Sequence, residues 1–177
     1  MSSLDSTPTI TKLSFETKSD DSEPVKPTVE KKIIFIRHAE SEWNPSGTTE
    51  RNTGLTENGR KSCKSLDFNV DIVICSPLKR ARETLDNSNI IYKDVIFNDS
   101  CREILGKNPA HYYNGEPYHE ETQDEINERV NGFKDELREI SEYYDTICVI
   151  SHHNFLKELT GYHFQNCHYL NFSVEDL

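Results

Sequence analysis

The chain has 177 residues, 34% of them hydrophobic, and a formal net charge of −11. This length is enough for one domain with a proper core and is short for two. The acidic balance argues against nucleic acid and against an anionic membrane surface as partners, because both are bound through clustered Lys and Arg.

The first 30 residues are rich in Ser, Thr, Asp, Glu and Pro, and their scattered apolar residues follow no sustained period. Such a segment cannot bury enough apolar surface to offset the entropy that it loses on ordering. We therefore expect a disordered polar tail over 1–30, followed by one folded domain over 31–177.

From residue 31 onward, short apolar runs alternate with helical patterns. Ser76 followed by Pro77 is typical of a helix N-cap with proline in the first turn. The alternation predicts a mostly parallel sheet covered by helices on both faces, which is a three-layer α/β/α sandwich. The predicted strands are 32–37, 70–75, 90–97 (whole, or broken near 93–94), 146–151 and 167–174, and the predicted helices are 56–66, 77–87, 121–143 and 154–162.

One long connection, 103–120, shows no regular pattern and contains two glycines and two prolines. A loop of that length in a compact domain is usually functional or disordered. Because it begins at a candidate catalytic residue, we expect it to act as a lid. It opens an acidic stretch, since residues 103–145 include 12 acidic and 4 basic side chains.

Two of the predicted strands end in a histidine. Arg37 and His38 follow the apolar run 33–36, and His152 follows the run 147–150. One such pair could simply close a strand, but the repetition favours a site, because ligands of parallel sheets bind outside the carboxyl ends of the strands. A fixed cation beside a histidine that can be neutral suits an anionic ligand.

Two further pieces follow the other predicted strands. Residues 76–84, Ser-Pro-Leu-Lys-Arg-Ala-Arg-Glu-Thr, begin a helix after the second strand. The free N–H groups and the dipole of a helix start favour an anion there, and Arg80 lies one turn in. Glu103 follows the third strand, within Arg-Glu-Ile at 102–104.

These pieces resemble the motifs of the histidine phosphatase superfamily, the phosphoglycerate mutase-like family that includes cofactor-dependent phosphoglycerate mutases and many small phosphatases. The resemblance covers 31–174, with the motifs in the family's order. The opening motif is similar to Arg-His-Ala-Glu-Ser-Glu-Trp-Asn at 37–44, the helix entry to Leu-Thr-Glu-Asn-Gly at 55–59, and the second arginine motif to 76–84. The acid motif is similar to 102–104, and the second histidine motif to 151–152.

The resemblance implies a phosphoric-monoester hydrolase that works through a phosphohistidine. His38 would attack phosphorus in line, and Glu103 would protonate the leaving oxygen and then deprotonate the attacking water. Several preset donors would meet the charge of the transferring phosphoryl group. The residues that would surround this group or the substrate are Arg37, Arg80, His152 and Asn44.

Three expectations follow from these implied roles. No metal or other cofactor is required, because the arginines supply the positive charge. His38 must be neutral to act as a nucleophile, so its other ring nitrogen should donate to a carbonyl. The rings of His38 and His152 should lie within about 8 Å, the span of one phosphate with two hydrogen bonds.

Two alternatives of function stay open: a mutase-type phosphotransferase of the same fold, and a non-catalytic module that binds a phosphorylated ligand. The substrate could be a phosphorylated small molecule or a phosphoprotein. His153 stands where the family usually has glycine, and its side chain could narrow the pocket floor or point away. The five cysteines show no repeating spacing and no signal-like segment opens the chain, so we expect a reduced, cytoplasmic protein.

Overall fold

The structure is a computed structural model that describes residues 30–43, 52–105, 112–113, 116–117 and 120–177. The predicted tail, apart from its last residue, and most of the predicted lid lie outside these ranges. The strands are β1 Lys32–Arg37, β2 Asn69–Cys75, β3 Ile91–Phe97, β4 Tyr112–Tyr113, β5 Glu116–Pro117, β6 Thr146–Ser151 and β7 Tyr169–Ser173. The helices are α1 Glu57–Ser62, α2 Lys79–Asn87, α3 Gln123–Ser141 and α4 His153–Thr160.

Five strands form one sheet in the order β3-β2-β6-β1-β7. All neighbours are parallel except β7, which runs antiparallel to β1. The mostly parallel α/β fold that the sequence predicts is therefore confirmed. Strands β1 and β6 pair directly, with Arg37 opposite Ser151. The two histidines that follow these strands are thus brought to the same edge of the sheet.

Apolar side chains pack on both faces of the sheet, which produces three layers. On one face, alternate residues of β1, β2 and β6 pack against α3 and α4, with Phe133 and Phe155 at the centre of that core. On the other face, the remaining strand residues pack against α2 through Ala81 and Leu85. No helix in the described ranges is long and apolar enough to cross a membrane.

Strand β3 is continuous through 93–94, which is one of the two alternatives that the sequence leaves open. Two predictions need correction. The stretch predicted to be irregular contains a short antiparallel ladder between β4 and β5. Ser76 is not the N-cap of α2, which begins at Lys79 with Leu78 as its cap. The Ser76 hydroxyl lies 2.7 Å from a ring nitrogen of His152 instead, so a tertiary partner overrides the local capping preference of serine.

Helix α1 packs tightly on the loop that follows β1. Thr56 caps the helix by accepting from the Gly59 N–H at 2.9 Å, and its own N–H donates to the carbonyl of Glu40 at 3.0 Å. A Cβ on Gly59 would lie 2.1 Å from that same carbonyl oxygen. Only glycine therefore permits this close approach of two backbones, which explains the glycine of the Leu-Thr-x-x-Gly pattern.

Gly59→Ala should therefore destabilise the protein by about 2 kcal/mol or more, because backbone atoms have to move to admit the methyl group. Gly132→Ala is the matched control, since nothing lies within 4 Å of a Cβ at that position of α3. It should raise the free energy of unfolding by up to about 1 kcal/mol through better helix propensity. Urea denaturation of both variants measures the difference, and a stabilising Gly59→Ala would contradict the packing described.

Candidate active site

The two strand-end histidines lie side by side. The ring centroids of His38 and His152 are 5.0 Å apart, with the planes inclined by 55°. Both residues are buried, and the backbone N–H of His38 donates to the carbonyl of Ser151 at 2.9 Å. The separation is within the span expected for contact with one phosphate-sized ion.

Hydrogen bonds at both nitrogens fix the ring of His38. Its Nδ1 lies 2.6 Å from the carbonyl oxygen of Ala39, which can only accept, so Nδ1 carries the proton. Its Nε2 accepts from the Nε–H of Arg80 at 3.1 Å. A neutral ring with the proton on Nδ1 satisfies both contacts, and Nε2 is then the nitrogen with the available lone pair.

The loop that carries His38 is held by residues that the sequence pattern did not assign to the site. The N–H of Ala39 donates to Thr84 Oγ1 at 2.9 Å, and that hydroxyl donates to the Arg80 carbonyl at 2.7 Å. The side-chain amide of Asn166 donates to the His38 carbonyl at 2.9 Å. Thr84 could have been found from its place one turn after Arg80 in the arginine motif, whereas nothing local marks Asn166.

Two buried polar atoms of the site have no hydrogen-bond partner among the described residues: His152 Nδ1 and Arg37 Nε. Buried polar groups are nearly always satisfied, so such atoms call for an explanation, such as a ligand. The other ring nitrogen of His152 is held by Ser76. Both orphaned atoms can donate to a bound oxyanion, His152 in the tautomer that carries its proton on Nδ1.

His153, the residue that replaces the usual glycine, turns toward the carbonyl of Phe164. Its Nδ1 lies 2.9 Å from that oxygen, which also accepts from Arg37 at 2.9 Å. The ring of His153 also contacts that of His163, with the centroids 5.4 Å apart. His153 therefore lies beside Arg37 on a shared carbonyl and helps to fix the segment that orients this arginine.

Glu103 lies at the start of α4. Its Oε1 accepts from the backbone N–H groups of Ile104, Asn154 and Phe155 at 3.0, 3.1 and 3.2 Å. The last two belong to the first turn of the helix that follows His152, where free N–H groups favour a carboxylate. One oxygen of Glu103 is thus anchored within the neighbourhood of the two histidines.

An ion-pair network behind Glu103 holds the turn on which it lies. Arg129 forms a largely buried bidentate pair with Glu121, at 2.7 and 2.6 Å, and donates to the carbonyls of Ser100 and Arg102. Arg102 itself pairs with Glu121 at 2.9 Å. The arginine of the acid motif therefore has a positioning role.

Burial favours the uncharged forms of the central groups. Burial, reinforced by the charge of Arg80, lowers the pKa of His38 and of His152 well below the ordinary value. Burial raises the pKa of Glu103, although the arginine charges and backbone N–H groups oppose this shift. Neutral histidines beside a carboxyl with a raised pKa suit a nucleophile and a proton donor.

These shifts predict a loss of stability in mild acid. The unfolded chain binds protons on His38 and His152 below about pH 6.5, whereas the folded chain does not, and stability rises with pH wherever the unfolded state binds more protons. The free energy of unfolding should therefore fall, as pH drops from about 7 to about 5.5, by up to about 1.4 kcal/mol per pH unit for each histidine. Urea titrations across this range measure it.

The matched variant for this titration is His152→Gln, whose amide cannot take up a proton. Its stability should depend less steeply on pH than that of the unchanged chain. The raised pKa of Glu103 acts in the opposite direction, since it favours the protonated carboxyl in the folded state. Equal pH slopes for the two proteins would contradict a neutral buried His152.

The structure brings together five of the six residues expected at the site, and Asn44 lies outside the described residues. In the part of the chain that is described, no group of three or more His, Cys, Asp or Glu side chains could hold a metal ion. The positive charge of the assembled site comes from two arginines. The residues brought together are Arg37, His38, Arg80, Glu103 and His152.

Comparisons with known proteins agree with this geometry. Residues 33–107 match the histidine phosphatase superfamily, branch 1. Phosphoserine phosphatase 1 of Hydrogenobacter thermophilus is 31% identical over 149 residues, which cover 68% of this chain and 70% of that protein. The chain belongs to the histidine phosphatase superfamily.

Other members of the superfamily are similar over a shorter stretch or in fold alone. A 2,3-bisphosphoglycerate-dependent phosphoglycerate mutase of Bartonella henselae is 37% identical over 68 residues, 33% of each chain. The solved alpha-ribazole phosphatase of Shigella flexneri superposes with a TM-score of 0.62 at 19% identity, over 79% of this chain and 89% of that one. The phosphoglycerate mutase-like fold that the motifs imply is therefore confirmed.

Proposed function

We propose that this chain hydrolyses phosphoric monoesters through a phosphohistidine on His38. The observation that carries the proposal is the fixed ring of His38, with Nδ1 bound to the Ala39 carbonyl and Nε2 directed at Arg80 beside His152. A neutral imidazole whose Nε2 lone pair faces a cationic pocket is suited to attack on phosphorus. Two successive displacements then replace one difficult hydrolysis.

Arg80 has to change partner for this attack to occur. Its Nε–H engages the Nε2 lone pair of His38, so that N–H must turn to the phosphoryl oxygens before the lone pair can reach phosphorus. The exchange is favourable because hydrogen bonds to a charged phosphate oxygen are stronger than those to a neutral imidazole. Substrate binding would thereby free the nucleophile.

The other groups have complementary roles. The unpartnered His152 Nδ1 and Arg37 Nε would bind the equatorial oxygens, where charge is spread in the transition state. Glu103, whose pKa is raised by burial, would give its proton to the leaving oxygen and later take one from the attacking water. No step in this scheme calls on a metal or a separate cofactor.

A phosphorylated small molecule is the substrate class that the relatives favour, since those similar in sequence or fold include a phosphoserine phosphatase and an alpha-ribazole phosphatase. The mutase alternative rests on the shorter match to phosphoglycerate mutase. The excess of acidic residues over 103–145 opposes it, because a bisphosphorylated ligand would be repelled. Hydrolysis therefore remains the favoured reaction.

A phosphate-release assay distinguishes the three candidates. The purified chain is given an aryl phosphate, phosphoserine, or 3-phosphoglycerate with 2,3-bisphosphoglycerate, and both free phosphate and transferred phosphate are measured. A phosphatase releases phosphate from the monoesters, whereas a mutase converts 3-phosphoglycerate with little release. Binding of inorganic phosphate without turnover of any compound would favour the non-catalytic module and contradict the proposal.

A further inference from the structure

Two cysteine side chains meet directly behind the loop that carries His38. Cys63 is buried at the C-terminal end of α1, and Cys167 lies partly exposed in the segment before β7. Cys167 packs against the small cluster that Cys63 forms with Ala39 and Leu55, and the S–H of Cys63 donates to the Gly59 carbonyl at 3.2 Å. The mechanism proposed above uses neither of them.

The backbone of Cys167 is bonded to the two residues that open the site. Its N–H donates to the carbonyl of Arg37 at 3.1 Å and to that of His38 at 3.4 Å. Its φ of 57° lies in the left-handed region, which cysteine rarely adopts, and it is the one non-glycine residue with positive φ in the described ranges. A displacement of Cys167 would therefore also shift the backbone of Arg37 and His38.

The surroundings of the pair make Cys167 the more reactive thiol. Cys167 is partly exposed whereas Cys63 is buried, and the Cys167 sulfur lies 3.3 Å from the hydroxyl of Ser62. Interaction with the neighbouring thiol of Cys63, and then with this hydroxyl, lowers the pKa of Cys167 below its ordinary value. Burial raises the pKa of the three cysteines outside the pair. Those three are Cys75, Cys101 and Cys148.

We propose that Cys63 and Cys167 form a disulfide when the protein meets hydrogen peroxide. We propose further that this disulfide lowers the turnover rate by displacing the backbone that carries Arg37 and His38. The Cys167 thiolate attacks one peroxide oxygen, the O–O bond breaks, and the departing hydroxide takes up a proton to form water. The Cys63 sulfur, losing its proton, then attacks the sulfenic acid on Cys167. The S–O bond breaks and a second water leaves, so the two thiols supply the two electrons that reduce the peroxide.

Closing the disulfide must move the backbone. An S–S bond is about 2.05 Å long, which is much shorter than the contact distance between two sulfur atoms that are not bonded. Cys63 is buried at the end of a helix that packs on Glu40, so Cys167 is the freer partner and its N–H would draw away from the carbonyls of Arg37 and His38. A shift of about 1 Å at a catalytic group can lower a rate by about 100-fold.

Mass spectrometry of the full chain after treatment with hydrogen peroxide tests the chemical step. We expect the intact mass to fall by that of two hydrogen atoms, and a digest without reductant to contain the peptide that links Cys63 to Cys167. Cys63→Ser should instead leave a sulfenic acid on Cys167 that dimedone traps. Cys148→Ala is the matched control and should form the disulfide as the unchanged chain does.

Two results would overturn the chemical step: free thiols throughout the treated chain, or a disulfide that joins any other pair of cysteines. The effect on the active site is measured by turnover of an aryl phosphate, which should fall on oxidation and return with a thiol reductant. The turnover readout rests on the proposed function. Amide hydrogen exchange of residues 37–40 does not depend on that function, and this exchange should become faster on oxidation. A disulfide that changes neither turnover nor hydrogen exchange would contradict the proposal that it controls the active site.

Discussion

Replacing His38 with alanine should lower turnover by about 10⁴-fold or more, a loss comparable to removal of a nucleophile from a serine protease. The reason is that the other groups of the site can bind and polarise a phosphate but cannot form the covalent intermediate. The trapped phosphoenzyme should disappear as well. Labelling with a radioactive phosphorylated substrate measures it, because phosphohistidine is labile in acid and stable in base.

His163→Ala is the matched control, since His163 is an exposed histidine whose ring contacts that of His153. It should keep both turnover and labelling. Labelling that survives in His38→Ala would show that another residue carries the phosphoryl group. His152 would then be the first to test, because its ring lies beside that of His38.

Glu103→Gln should slow hydrolysis of an alkyl phosphate by about 100-fold or more, the usual size of a general-acid contribution. The rate of the phosphorylation step should fall much less for an aryl phosphate with a good leaving group, because an activated aryl oxide departs without a proton. Hydrolysis of the phosphohistidine should slow for both substrates, since water still needs a base. Single-turnover kinetics with the two substrates separates the steps.

The glutamine variant is well matched to this structure. Its side-chain carbonyl can accept the same backbone N–H groups of Ile104, Asn154 and Phe155 that hold Oε1 of Glu103. The variant therefore keeps the position of the side chain and loses only its ability to transfer a proton. Equal losses for alkyl and aryl phosphates would place the acid elsewhere, and Glu120→Gln, in the acidic stretch that follows, would be the next variant to compare.

The central strands could be predicted from the sequence because they contain short apolar runs, as at 32–37 and 146–151. Their order could not, since nothing within β6 indicates that it inserts between β1 and β2. The repeated pattern of a strand that ends in a histidine predicts that His38 and His152 share a site, but only if the two strands are neighbours, which the pattern does not establish. The antiparallel pairing of β7 with β1 likewise depends on tertiary packing and has no local signal.

The site residues likewise divide into those with a local sequence signal and those that depend on tertiary packing. Arg80 and Glu103 were found because they stand at strand ends within motifs. The role of Ser76 was misjudged because its local context favours a helix cap, whereas its hydroxyl contacts a histidine 76 residues away along the chain. Asn166 and Cys167 were missed because their contacts with His38 depend on a loop whose path the sequence pattern does not specify.

The contact between Nδ1 of His38 and the Ala39 carbonyl would also limit which isomer of the proposed phosphohistidine can form. Histidine can carry phosphorus on either nitrogen, and the two isomers differ in chemical shift and in antibody recognition. With Nδ1 occupied as a donor at 2.6 Å, the folded chain presents Nε2 alone, so His38 could yield only the Nε2-phosphorylated isomer. In the unfolded chain both nitrogens become accessible, and a chemical phosphoryl donor would no longer be confined to one. An isomer-specific antibody could therefore report on the folding of this site as well as on its phosphorylation.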